Sequence, residues 1–144
     1  MKKLTAILAA LLICLSVAIA DNVKPVTVNR MPAKAQQTLK SNWPTMAVMS
    51  ATRRQSGKLV DYKVLMEDGA VLRFDSRGQW LQVKCYTGVP NTIVPAGIRN
   101  HLRIHYEGQF VVDITKSKKA YTIQLDQGAK LVYDLKGNFL RFID

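Results

Sequence analysis

Cysteine is nearly absent from this chain of 144 residues: there are two, Cys14 and Cys85. Cys14 lies in the N-terminal apolar run, so Cys85 alone is left in the body of the protein, and one thiol cannot close an internal disulfide. Stability must then come from packing. Cys85 also lacks a neighbouring His or a Cys-x-x-Cys partner to activate it, which favours a small buried side chain over a reactive one. Acidic residues are scarce as well, 10 against 21 Lys and Arg, for a formal charge of +11. Such an excess favours anionic partners. Histidine occurs only twice. No Ser-His-Asp grouping, Gly-rich phosphate loop or Cys-His pair stands out, so catalysis is the least supported class and no cofactor is expected.

Long hydrophobic runs are missing except at the start. Lys2 and Lys3 precede an apolar stretch from Leu4 to Val17, and Ala18-Ile19-Ala20 has the small-x-small form of a signal-peptidase site. The stretch falls short of the roughly 20 residues of a membrane span. Residues 1–20 are therefore expected to be a signal peptide cleaved after Ala20, with a periplasmic or secreted product and no transmembrane segment. Export argues against nucleic acid as a partner.

What is present is an internal echo. Residues 62–83 and 121–142 align without a gap at an offset of 59, with seven identities in 22 positions. Ahead of each lies a Pro-led stretch, Pro32 to Trp43 and Pro95 to Tyr106, matched at an offset of 63. Ala35, Leu39 and Trp43 recur at i, i+4 and i+8, as do Ile98, Leu102 and Tyr106, the apolar stripe of a helix. Alternating segments follow, punctuated by Asp68-Gly69 and Gln127-Gly128 hairpins and by Asp75-x-x-Gly78 and Asp134-x-x-Gly137 turns. The predicted fold is α+β, a tandem repeat of one helix plus a four-stranded antiparallel sheet, helices on one face and the other face open. Residues 21–30 form an N-terminal arm, 31–86 the first repeat, 87–93 a linker and 94–144 the second. One repeat of about 50 residues would be marginal alone, so the two are expected to share a sheet or dock tightly.

These motifs, Pro-x-x-[Ala/Ile]-x-x-x-Leu-x-x-x-[Trp/Tyr], Gly-Ala-x-Leu and [Phe/Tyr]-Asp-x-x-Gly-x-[Trp/Phe]-Leu, resemble the PepSY-like family of exported proteins, whose description records a likeness to β-lactamase inhibitors. The resemblance covers residues 31 to 144. It implies helices on one face of an antiparallel sheet and a protein-binding or inhibitory role.

Strict alternation would place Tyr62, Val64, Met66, Leu72, Phe74, Leu81 and Val83 under the first helix, with Tyr121, Ile123, Leu125, Leu131, Tyr133, Leu140 and Phe142 under the second. The opposite face would carry Lys63, Leu65, Arg73, Trp80 and Lys84, with Lys130, Val132, Phe139 and Arg141. Trp and Arg are frequent interface anchors. This face, centred on Trp80 and Phe139, is the expected docking site for a protein partner in the envelope or outside the cell, such as an enzyme held inhibited. The alternative partner is an anionic polymer, glycan or lipid surface gripped by basic hairpin tips: Arg53, Arg54 and Lys58, with Lys116, Lys118 and Lys119. His101 and His105 have a spacing that can hold zinc, but no third ligand is evident. Asp75 and Asp134 are explained by their turns.

Overall fold

The computed structural model describes residues 22–144. The expected signal peptide and its cleavage point lie outside the described residues. The strands are β1 (Asn22–Pro25), β2 (Val48–Ser56), β3 (Leu59–Met66), β4 (Val71–Asp75), β5 (Trp80–Lys84), β6 (Val111–Lys116), β7 (Ala120–Leu125), β8 (Lys130–Asp134) and β9 (Phe139–Ile143). Helix α1 (Ala33–Asn42) precedes β2 and helix α2 (Ala96–His105) precedes β6. A single turn of 3-10 helix, Val28–Arg30, links β1 to α1.

The nine strands of the described residues form one antiparallel sheet in the order β1-β2-β3-β4-β5-β6-β7-β8-β9. This corrects the repeat-by-repeat expectation: the chain is not a tandem of helix plus four-stranded sheet. Two features make the difference. Strand β5 pairs directly with β6 through Gln82↔Thr115, Val83↔Ile114 and Lys84↔Asp113. The N-terminal arm also joins the sheet, Val23 opposite Arg54 and Pro25 opposite Thr52. The additional residues between Ala51 and Tyr62 extend β2 and β3 and give β1 its partner. Pro25 and the short length of β1 suit it to a sheet edge.

Both helices lie on the same face. Pro32 and Pro95 stand at the N-caps (φ −53° and −55°) rather than inside the first turn. Ala35, Leu39 and Trp43 of the first helix and its cap are buried, as are Ile98 and Leu102 of the second. They meet a sheet layer of Val64, Leu72, Phe74, Ile114, Leu131 and Tyr133, each fully enclosed. Each side chain so buried contributes roughly 1.5–3 kcal/mol. The segment expected as a linker also feeds this core through Val89 and Ile93.

Gly78 and Gly137 fix how closely the helices approach. Both take positive φ (83° and 88°) in turns whose Asp accepts two backbone N–H bonds: Asp75 from Arg77 and Gln79, Asp134 from Lys136 and Asn138. A Cβ on Gly78 would lie 2.8 Å from the backbone nitrogen of Ala35 and from Pro32 Cβ. On Gly137 it would lie 3.2 Å from Gly97 Cα. The helix starts thus rest directly on the two turns.

Candidate functional site

The register decides which side chains share a face, and two β-bulges alter the outcome of strict alternation. Between β4 and β5, Arg73 pairs with Gln82 but Phe74 pairs with Trp80, leaving Leu81 as the extra residue. Between β8 and β9, Val132 pairs with Arg141 but Tyr133 with Phe139, leaving Leu140. Opposed residues project to the same side. Trp80 therefore lies with Phe74, and Phe139 with Tyr133, on the helix-bearing face, where both pack against the core. The expectation that these two rings centre the open face is corrected. So is the placement of Leu140, which is 55% exposed; Phe142, opposite Leu131, does lie on the helix-bearing face but is 58% exposed at the sheet's edge.

The remaining residues assigned to the helix-free face do lie on it. Thr52, Lys63, Arg73 and Gln82 face one another across β2 to β5, and Leu65 faces Val71, which faces Lys84. The row continues through Asp113 and Gln124 to Lys130. Val132 and Arg141 sit opposite each other beyond it. Lys63, Leu65, Lys130 and Arg141 are exposed, Arg73 and Lys84 half-buried, and Val132 buried among its neighbours. Two acids temper these cations. Asp61 bridges Arg54 (2.6 Å) and Arg73 (3.8 Å), and Asp113 accepts from the Gln82 amide at 3.1 Å to each carboxylate oxygen. A depression of about 620 Å3 opens here, with Leu65, Val71 and Val23 as its apolar lining and Lys63, Arg73 and Arg54 around them. Val23, Asp61 and Asp113 were not singled out from sequence. The valines of the N-terminal arm, Val23, Val26 and Val28, are the sequence signal for the strand that brings Val23 in.

The basic tips do not form one patch. Arg53 pairs with Tyr62 on the helix-bearing face, whereas Arg54 pairs with Asp61 on the other. Lys58, Lys118 and Lys119 are exposed at turns. Those turns join β2 to β3 and β6 to β7, four strand spacings apart, roughly 19 Å. Lys116 lies on the helix-bearing face, its ammonium 5.9 Å from the centre of the Trp80 ring and 5.8 Å from that of Tyr121.

His101 belongs to an aromatic cluster. Its ring stacks on Phe139 (4.8 Å, 10°), its Nδ1 is 2.9 Å from the Tyr133 hydroxyl, and His105 lies 4.6 Å away. Burial, then the nearby His105, hold its pKa below the usual 6.5. Burial pushes the Tyr133 phenol upward. Among the described residues no three His, Cys, Asp or Glu side chains converge as a metal site would require. Hydrogen bonds from the Asn138 backbone and side chain depress the Asp134 carboxyl, in keeping with a turn-forming role. Cys85 is buried, its sulfur 3.3 Å from the Thr87 hydroxyl.

A helix-backed antiparallel sheet with these turn motifs is the pattern of a known family. The family model described as "Putative beta-lactamase-inhibitor-like, PepSY-like" matches residues 60–141. The chain belongs to this PepSY-like family. A crystal structure described as a "putative calcium-regulated periplasmic protein" from Bacteroides thetaiotaomicron superposes with a TM-score of 0.81 at 31% identity, covering 85% of this chain and 97% of that one. A "putative periplasmic protein" from Bacteroides vulgatus gives 0.82 at 28%, covering 87% and 99%. Another from the same species gives 0.79 at 28%, covering 87% and 100%. No curated protein matches the chain. Among the described residues, no helix is long and apolar enough to cross a membrane.

Proposed function

We propose that this PepSY-like protein is a non-catalytic exported binding module that docks a protein partner on the helix-free face of its sheet. The observation that carries this reading is the composition of that face. Lys63, Arg73 and Lys84 flank an apolar pair, Leu65 and Val71, on the adjacent strands β3 and β4, and Lys130 and Arg141 extend the cationic surface of the same face near Val132, four to five strands away. Specific interfaces combine an apolar centre with charged surroundings in this way. Arginines ordered by Asp61 lose little further freedom on docking. The complementary surface is acidic, and an envelope or secreted enzyme with an acidic face is the partner that fits, in keeping with the family's inhibitor-like description. Export is supported by the charged start, apolar run and Ala18-Ile19-Ala20 of the N-terminus, and by the periplasmic descriptions of the related structures.

The test is capture from an envelope extract, with and without Lys63→Glu, Arg73→Glu and Lys84→Glu together. Saturable, salt-tolerant capture of one protein, lost in the triple variant, is the expected result. Capture of many polyanions that washes off at moderate salt would instead place the function in the basic tips. Undiminished capture by the triple variant would refute the face.

A further inference from the structure

The other side of the sheet carries a second, smaller feature: a groove beside α1 with the Trp80 ring as its floor. Two adjoining hollows, of about 80 and 290 Å3, share Lys34, Thr38 and Trp80. Lys116 and Gln79 close the first; Gln37 and Ser41 line the second. Asn42 bounds one end: its amide donates to the Thr38 carbonyl (2.8 Å), and its Oδ1 accepts from the Thr92 hydroxyl, tying α1 to the chain leading into α2.

The counterpart beside α2 shows what such a groove holds. Thr38 and His101 are each the sixth residue of their helices. His101 lies flat on Phe139 and fills the space. Thr38 is too short to cover Trp80, and its hydroxyl is turned to the Lys34 carbonyl at 3.0 Å. One ring is therefore roofed by the protein's own imidazole, while the larger ring borders an open hollow whose lining includes Lys34 and Lys116, the latter's ammonium 5.9 Å from the ring centre.

We propose that this groove binds an acidic saccharide, a pyranose bearing a carboxylate. The flat apolar face of the sugar takes the place over Trp80 that His101 takes over Phe139. Lys34 and Lys116 pair with the carboxylate from either side, giving charge-assisted bonds. Gln37, Ser41 and Gln79 meet the ring hydroxyls. A concave site with an aromatic platform and convergent polar groups that fix orientation is a form small-ligand sites take. The site is separate from the helix-free face, so neither proposal rests on the other.

The experiment follows the two indole N–H signals by nuclear magnetic resonance while tetragalacturonate is added to the protein spanning residues 21–144. Trp80 should shift saturably and buried Trp43 should not. Maltotetraose, neutral and of equal length, should bind at least about tenfold more weakly, the factor lost with about 1.4 kcal/mol. Thr38→His, which copies the His101 arrangement without changing the number of Lys and Arg residues, should abolish the shift. Lys34→Gln with Lys116→Gln, both near the surface, should weaken it about tenfold or more. No saturable Trp80 shift, equal binding of the two sugars, or undiminished binding by either variant would overturn the proposal. Should Thr38→His fail to fold, the lysine pair decides alone.

Discussion

The surroundings of α1 and of α2 begin from matching text and end differently. Each helix starts at a proline, rests on an Asp-x-x-Gly turn and covers an aromatic residue delivered by a bulge. Beside α2 the fit is closed: His101, Phe139, Tyr133 and Phe142 form one ring cluster. Beside α1 the seat is tighter at the turn, where Gly78 meets Pro32 and Ala35, and looser above Trp80. The difference teaches that a single side chain, Thr38 against His101, decides whether the same geometry yields packing or an open groove.

The largest effect should come from the turns. Gly78→Ala combines positive φ, about 1–2 kcal/mol, with a clash against backbone that should bring the total to roughly 3 kcal/mol. Gly137→Ala, with more room, should cost about 1–2 kcal/mol. Urea unfolding of the two variants gives both numbers, and equal losses would break the proposed asymmetry. Next, Phe139→Ala should cost about 2–3 kcal/mol, below the full value for a buried ring because the site is part exposed. Trp80→Ala should cost less despite its larger ring. Third, His101→Thr should open a groove beside Phe139 at a cost of about 1 kcal/mol, the worth of an aromatic pair.

The smallest effect is on pH dependence. The folded chain holds the His101 pKa below its usual 6.5, so the unfolded chain takes up the proton first. Its contribution is therefore complete above about pH 6.5 and fades as pH falls through that value toward the lower folded one. Thermal melts from pH 7.5 to 5 should show this decline, and His101→Thr should flatten it.

Much of this was legible in the residues. The Asp and Gly of each turn, the helix stripes and the buried alternates Val64, Leu72, Ile123 and Leu131 all stand where period and turn chemistry put them. Trp80 and Phe139 do not, because alternation carries parity along a strand and one extra residue reverses it. Leu81 and Leu140 are ordinary leucines, and nothing local distinguishes a bulged residue from a paired one. The joining of β5 to β6 was likewise hidden, since short-range pattern fixes hairpins but not which strand edges meet. The cations survived the error because Arg73, Lys84 and Arg141 lie on the far side of the bulge from the misplaced rings.

The division of labour between the two faces is the central claim, and a photo-activated benzophenone side chain tests it most directly. It would be placed in turn at Leu65, on the helix-free face, and at Gln37, beside the Trp80 groove, and irradiated in an envelope extract. The account predicts a discrete protein adduct from position 65 that excess unlabelled protein competes away, and none from position 37. An adduct from position 37 alone would contradict it.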